Sequence, residues 1–413
     1  MIVSGILMFW TVALTAQNST NSPYTRYGYG DLGNRAFGAG RSMGGIGIGL
    51  RASKQINPMN PASYSSIDST TFLFDFGATF QASFYNDKTN KQNDLNGNVD
   101  YMAMEFPLFK RAAMSAGLIP FSHVGYQYGE DKTSADGFHY RETFEGIGGL
   151  NLLYAGLSIE LWKKRLSIGS NINYLFGSIS HVSRTDYNAT NATVISGSTV
   201  YKLNDVLFDF GLQYVQPLSK TDQLIVGLTF TPEKQLNNKM YETITNSSST
   251  STEVLLDDTI TDRRSNAPNS YGAGLSYVKA NKFMIAVDFS LQEWSKASFF
   301  GKPNQFNDRS KIAAGFELIP NLYSRPYLNR VRYRAGLSYT NSYIQVLNRN
   351  GYKEYSATLG AGFPISDARS FVNFSLEYVK VQPDIKTMIN ENYFKVTLSY
   401  TFNEYWFFKR KVE

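Results

Sequence analysis

Cysteine is absent from all 413 residues. That rules out a disulfide framework, a thiolate metal site, a lipid-anchored N-terminal cysteine and a cysteine nucleophile. Histidine is scarce: His123, His139 and His181 are the three the chain has, and they are scattered. No HExxH or other paired-ligand spacing joins them and no G-x-S-x-G elbow occurs, so the motifs give no metal centre, no hydrolase and no cofactor. A triad assembled in space remains the one enzymatic alternative. An excess of charge is lacking too, with 40 Lys and Arg against 34 Asp and Glu and a formal charge of +6. The cations run no longer than three in a row, as at Lys163-Lys164-Arg165 and Lys409-Arg410-Lys411, so a nucleic-acid partner is not expected. After Ala16 no stretch of about 18 apolar residues recurs, which excludes helical membrane spans.

What the chain does have is 28 Tyr, 29 Phe and 33 Gly, a composition of strands and turns. Residues 1–16 read as a signal peptide, apolar from Ile2 and closing on the small pair Thr15-Ala16. From Thr70 onward a period of two recurs, the mark of strands with two unlike faces. In FKVTLSYTF, Phe394, Val396, Leu398, Tyr400 and Phe402 share one face and Lys395, Thr397, Ser399 and Thr401 the other. FMIAVDFSLQ and VRYRAGLSY repeat the split.

A soluble sandwich would alternate as well. Connection length separates the two, because long polar links alternate with short ones such as FKR, WKKR and VKANK, as in outer-membrane barrels. The expected fold is therefore all-β, a transmembrane antiparallel barrel of about fourteen strands over residues 70–408. It would sit in the outer membrane of a Gram-negative bacterium, in contact with its lipid and lipopolysaccharide. Tyr405-Trp406-Phe407-Phe408 reads as an interfacial girdle and residues 409–413 as a periplasmic tail.

Residues 17–69 lack alternation and are rich in glycine. Gly28, Gly30 and Gly33 satisfy G-x-G-x-x-G, but no buried strand precedes them and no helix pattern follows, so nothing would aim amides at a phosphate. They are read as turn residues of an N-terminal plug, since fourteen strands enclose a lumen that side chains alone do not fill.

Asn60-Pro61-Ala62, preceded by Asn57-Pro58, stands just before the first strand, and GLIPFSHVGYQY places Gly117, Pro120 and Phe121 in the third. In these motifs the chain resembles the FadL/OmpP1 family of outer-membrane channels, with Ser122 where that family has glycine. The opening SPYTRYGYGDLG resembles a Bacteroidota branch of the same superfamily. The resemblance implies a hatch in the lumen, a hydrophobic ligand of the long-chain fatty acid type, and a lateral exit through a kinked third strand. Residues Gly117, Pro120, Phe121 and Gly125 would form that path. The Bacteroidota branch implies an alternative: a plugged accessory barrel of a protein secretion or barrel-assembly complex, with outer-membrane protein partners.

The residues themselves bear on both. Pro120 cannot donate to a ladder and has Gly117 and Gly125 on either side, so pairing should bend or break there. Glu105, Asp288, Glu317, Arg332, Arg334, Glu377 and Lys395 fall on the inward face, and the favoured reading pairs them with the plug cations Arg35, Arg41 and Arg51. An apolar pocket below the loops would favour uptake. An exposed ASFF, Ala297 to Phe300, would offer a docking patch.

Overall fold

The computed structural model describes residues 20–87, 90–162, 165–187, 193–248, 250–280, 282–302, 305–365 and 369–406. The expected signal segment, Phe407-Phe408 and the basic tail lie outside the described residues. Alternation becomes fourteen wall strands: β1 Thr71–Asn86, β2 Lys91–Phe109, β3 Ala112–Thr133, β4 His139–Trp162, β5 Leu166–Tyr187, β6 Val194–Pro217 and β7 Asp222–Thr231, followed by β8 Ser270–Lys279, β9 Phe283–Gln292, β10 Arg309–Leu318, β11 Arg332–Asn341, β12 Tyr352–Ile365, β13 Ser370–Pro383 and β14 Asn390–Tyr405. Each pairs antiparallel with the next, and β1 pairs with β14 from Thr71↔Tyr405 to Asn86↔Asn390, closing the barrel.

The two faces sort as solvent demands. On β14 the side chains of Phe394, Leu398 and Tyr400 are exposed outward, while Thr397, Ser399, Thr401 and Asn403 are buried inside. On β9 Ile285, Val287 and Phe289 point out and Asp288 points in. An apolar exterior over a polar interior suits a wall surrounded by lipid. Among the described residues, no helix is long and apolar enough to cross a membrane.

One stretch differs from the sequence pattern. The alternation predicts two long strands over 223–246 and 252–278, but the wall strands there are only β7 and β8. Pro232, which carries no N–H, stops β7, and the chain turns into a separate hairpin of Lys234–Ser247 with Thr252–Ile260. Short 3-10 turns at Pro23–Arg26 and Pro61–Ser66 and one helical turn at Gly38–Arg41 are the regular elements of the N-terminal segment, together with the two-residue strand Asp31–Leu32. That segment supplies much of the buried core, including Tyr29, Met43, Ile46, Ile48 and Tyr64.

Candidate functional site, the N-terminal segment and the third strand

Asn60 has extended backbone and caps the Pro61–Ser66 turn, its Oδ1 accepting from the Ala62 amide at 3.1 Å, with Pro61 at the first position where no N–H is needed. Its Nδ2 donates to the Ile48 carbonyl at 2.9 Å and to the Leu212 carbonyl of β6 at 3.3 Å. Asn57 Nδ2 ties Gly47 and Leu50 together at 2.6 and 3.0 Å. The Pro58 carbonyl accepts from Asn171 Nδ2 of β5 at 3.3 Å, and the Ala62 carbonyl from Ser158 Oγ of β4 at 3.0 Å. The Asn-Pro-Ala element is thus fastened to three neighbouring wall strands. Contact is backbone to backbone: a Cβ on Gly227 of β7 would lie 2.0 Å from the Ile48 carbonyl oxygen.

Charge fixes the other side. Asp288 of β9 accepts from the Gly47, Ile48 and Gly49 amides at 2.6, 2.7 and 3.2 Å. Arg41 pairs with Asp100 of β2 at 2.8 Å, and Arg35 with Asp209 of β6 at 3.3 Å. Arg51 donates to the Ala62 carbonyl at 2.9 Å and to Gln213 at 3.2 Å, and burial lowers its pKa. The expected pairing of lumenal charges with segment cations is therefore corrected in detail. Glu317 pairs across strands with Arg334 at 2.7 Å and Arg332 at 3.4 Å. Arg35 and Arg41 take Asp209 and Asp100, which sequence reasoning passed over, although both stand at inward positions of the alternation.

The third strand carries the seam. The β2–β3 ladder runs from Phe109↔Ala112 to Met102↔Leu118 and stops. Toward β4 the pairing of β3 continues to Thr133↔His139, with one register shift between Pro120 and Ser122 that leaves Phe121 as the extra residue. Above Leu118 the edge of β3 is taken up by the N-terminal segment. Asp31 pairs with His123 and Leu32 with Ser122, and the Gly33 amide donates to the Phe121 carbonyl at 2.9 Å. Thr25 Oγ1 bonds both the carbonyl and the amide of Gly125, each at 3.2 Å. Gly30 has φ +86°, and a side chain there would strike the His123 carbonyl at 2.4 Å.

The four third-strand residues are thus placed as follows. Gly117 lies in the paired part opposite Ala103. Pro120 faces Asn151 just above the end of the ladder. Phe121 is the bulge, and Gly125 is bonded to Thr25. The G-x-G-x-x-G stretch is the strip laid along this edge. Burial raises the pKa of Asp31 in the strip, with Lys395 and Arg309 opposing that rise.

Over the strip lies an aromatic cover. Tyr29 meets Trp294 with ring centroids 5.3 Å apart and Phe299 at 4.9 Å, and Phe306 and Tyr343 extend the cluster. Ala297, Phe299 and Phe300 are 4%, 7% and 3% exposed. The expected ASFF docking patch is accordingly an interior surface, because its rings find Tyr29 and Tyr201 before they find solvent.

Beneath the cover is a lumenal cavity of about 260 Å³ lined by Asp31, Arg41, Asp100, Arg309, Lys311 and Glu377 among others. The large apolar concavity, about 890 Å³, lies instead on the outer wall, among Leu157, Phe210, Leu228, Phe230 and Phe289. Among the described residues, no group of three or more His, Asp or Glu side chains is disposed to hold a metal ion.

A closed fourteen-stranded barrel of this form defines an outer-membrane type of fold shared with the FadL-like channels. The toluene transporter TodX of Pseudomonas putida superposes with a TM-score of 0.62 at 14% identity, over 91% of this chain and 100% of TodX. The toluene transporter TbuX of Ralstonia pickettii gives 0.59 at 14%, over 89% and 98%. A FadL homologue of Pseudomonas aeruginosa gives 0.57 at 13%, over 91% and 99%. These are transporters and channels rather than enzymes, and at such identities the likeness establishes the fold. The chain belongs to the BamG family, whose model matches residues 1–413. No curated protein sequence matches it.

Proposed function

We propose that this protein is a plugged accessory barrel of an outer-membrane protein secretion or barrel-assembly complex, in which the N-terminal segment, residues 17–69, is a fixed stopper and the wall and surface parts bind protein partners. The observation that carries this is how the lumen is filled. Asn60 and Asp288 fasten the segment to the wall, two of its arginines are paired with wall carboxylates, and the remaining cavity is small and charged. A hydrocarbon gains about 0.8 kcal/mol per buried methylene only where water is excluded, and this cavity sets Asp31, Arg309 and Lys311 against its apolar lining of Phe121, Leu207 and Trp294, which lessens that gain. Membership of the BamG family favours the same reading.

A second reading is passive uptake of a hydrophobic small molecule with lateral exit to the bilayer. What favours it is the end of the β2–β3 ladder at Leu118, beside Pro120 and Phe121, and the naming of the solved neighbours as toluene and monoaromatic hydrocarbon channels. The seam is sealed by the strip from Thr25 to Gly33, so an exit there would need that strip to leave.

Purification from native outer membrane in mild detergent, followed by mass spectrometry of proteins and lipids, tests the choice. Stoichiometric protein partners are expected. A solitary barrel carrying fatty acid or hydrocarbon in its lumen would overturn the accessory reading in favour of uptake.

A further inference from the structure

The wall is lopsided above the membrane. Strands β3 to β6 have 22, 24, 22 and 24 residues, about twice the 9 to 11 that a tilted strand needs to cross a bilayer. Strands β7 to β11 have 10 each. The excess lifts one side of the sheet clear of the lipid. The hairpin after Pro232 enlarges this raised sheet: Lys234–Ser247 pairs with the upper part of β6 from Asn204↔Asn237 to Val194↔Ser247, and Thr252–Ile260 pairs with Lys234–Ser247.

Thr252–Ile260 is the last strand of that sheet. Among the described residues it pairs with Lys234–Ser247 alone. Eight of its nine residues are exposed, Val254 at 59% and Leu255 at 53%. An open edge of this length, with three consecutive aliphatic residues at Val254, Leu255 and Leu256, is a ready template for another strand. A bulge at Leu255 interrupts its register with Lys234–Ser247.

The charge on this edge says what kind of strand. Glu253, Asp257 and Asp258 lie on it, and the strand carries no Lys or Arg in a chain whose net charge is +6; beyond its end Asp262 is followed by Arg263 and Arg264. Asp258 stands directly opposite Glu242, so two carboxylates share one face at cross-strand distance, an arrangement that destabilises a sheet. A lysine or arginine on an added strand beside Asp258 would neutralise both.

We propose that Thr252–Ile260 is a docking edge for an extended, basic segment of a partner protein outside the membrane, which joins the sheet as a further strand. Main-chain hydrogen bonds would supply affinity and the acidic side chains selectivity. A second copy of this chain is disfavoured as the occupant, because it would set Glu253, Asp257 and Asp258 against themselves. The inference rests on the accessory reading above and adds to it the surface and the chemistry of the partner.

The test uses the full chain in native outer membranes, with a benzophenone side chain replacing Val254 and, in a parallel protein, Tyr271 on the exposed outer face of β8. Irradiation is expected to join position 254 to one other protein, and fragmentation should place the link in a segment with surplus lysine and arginine. Asp257→Asn with Asp258→Asn should lower that yield about tenfold, the change worth roughly 1.4 kcal/mol of affinity, while the barrel keeps its heat-modifiable migration. No adduct at 254, an adduct only to a second copy, a link to an acidic segment, or a yield unchanged by the paired substitution would each overturn the proposal. Protein partners that co-purify but link only through position 271 would remove this edge and leave the accessory reading standing.

Discussion

At the scale of single residues the lumen is held by a few polar groups that burial makes costly to disturb. Arg41 and Asp100 are a largely buried pair at 2.8 Å, with side chains 11% and 9% exposed. Removing one partner leaves the other charge without compensation, a loss of about 3–5 kcal/mol. Arg41→Ala should therefore lower the unfolding midpoint of the purified barrel clearly, and Arg41→Ala with Asp100→Ala should recover much of the loss. Urea titration of the three variants checks this.

Asp31 gives a pH dependence with a definite sign. Its pKa in the folded protein is raised by burial, so the folded state binds the proton more tightly than the unfolded chain does. Its contribution is most favourable below the ordinary aspartate pKa and is lost as pH rises through the raised value. Asp31→Asn removes that dependence. The variant should be at least as stable as the parent at neutral pH, with the difference shrinking as pH falls toward 4, as melting curves at several pH values would show. Asp31 was legible in the sequence only as part of a glycine motif. Its burial against β3 comes from long-range pairing, on which local pattern is silent.

Among the elements, the N-terminal segment and β3 matter most. The segment touches the wall through backbone, so the wall must be bare where they meet. A methyl group on Gly227 would overlap the Ile48 carbonyl at 2.0 Å, and overpacking of this kind costs about 1–3 kcal/mol. Gly227→Ala is expected to loosen residues 20–69 and make them sensitive to added protease while the strands stay protected; equal resistance of both proteins would count against a tightly seated segment.

The strip along β3 permits a sharper experiment, since the chain has no cysteine of its own. Leu32 and Ser122 stand opposite one another in the register. Leu32→Cys with Ser122→Cys should form a disulfide on mild oxidation. The locked protein should still support an accessory role, whereas lateral exit at Pro120 should stop. Hydrocarbon uptake by cells, with and without reductant, separates the two.

For the whole molecule, alternation and connection length gave the barrel, its strand number and the approximate place of most strands. The break at Pro232, and the raised hairpin that follows it, escaped that reasoning. Strand-forming residues run through both halves of the hairpin, and their pairing partners are what set them apart from the wall. The Asn57-Pro58 and Asn60-Pro61-Ala62 elements could be located from their motif, yet their contacts with Leu212, Asn171 and Ser158 could not, because those residues lie more than 90 positions away.

The chain by itself determined that this is a strand-built barrel without cysteine chemistry or a motif-bearing metal site, since those follow from composition and from a period of two that the wall strands display locally. Tertiary structure decided what the glycine-rich start does. Whether Gly28 to Gly33 cradles a phosphate, turns idly or lies along a strand edge depends on which backbone groups meet it. The partner is β3, some 90 residues further on, and its edge is open to that strip because the β2–β3 ladder ends at Leu118.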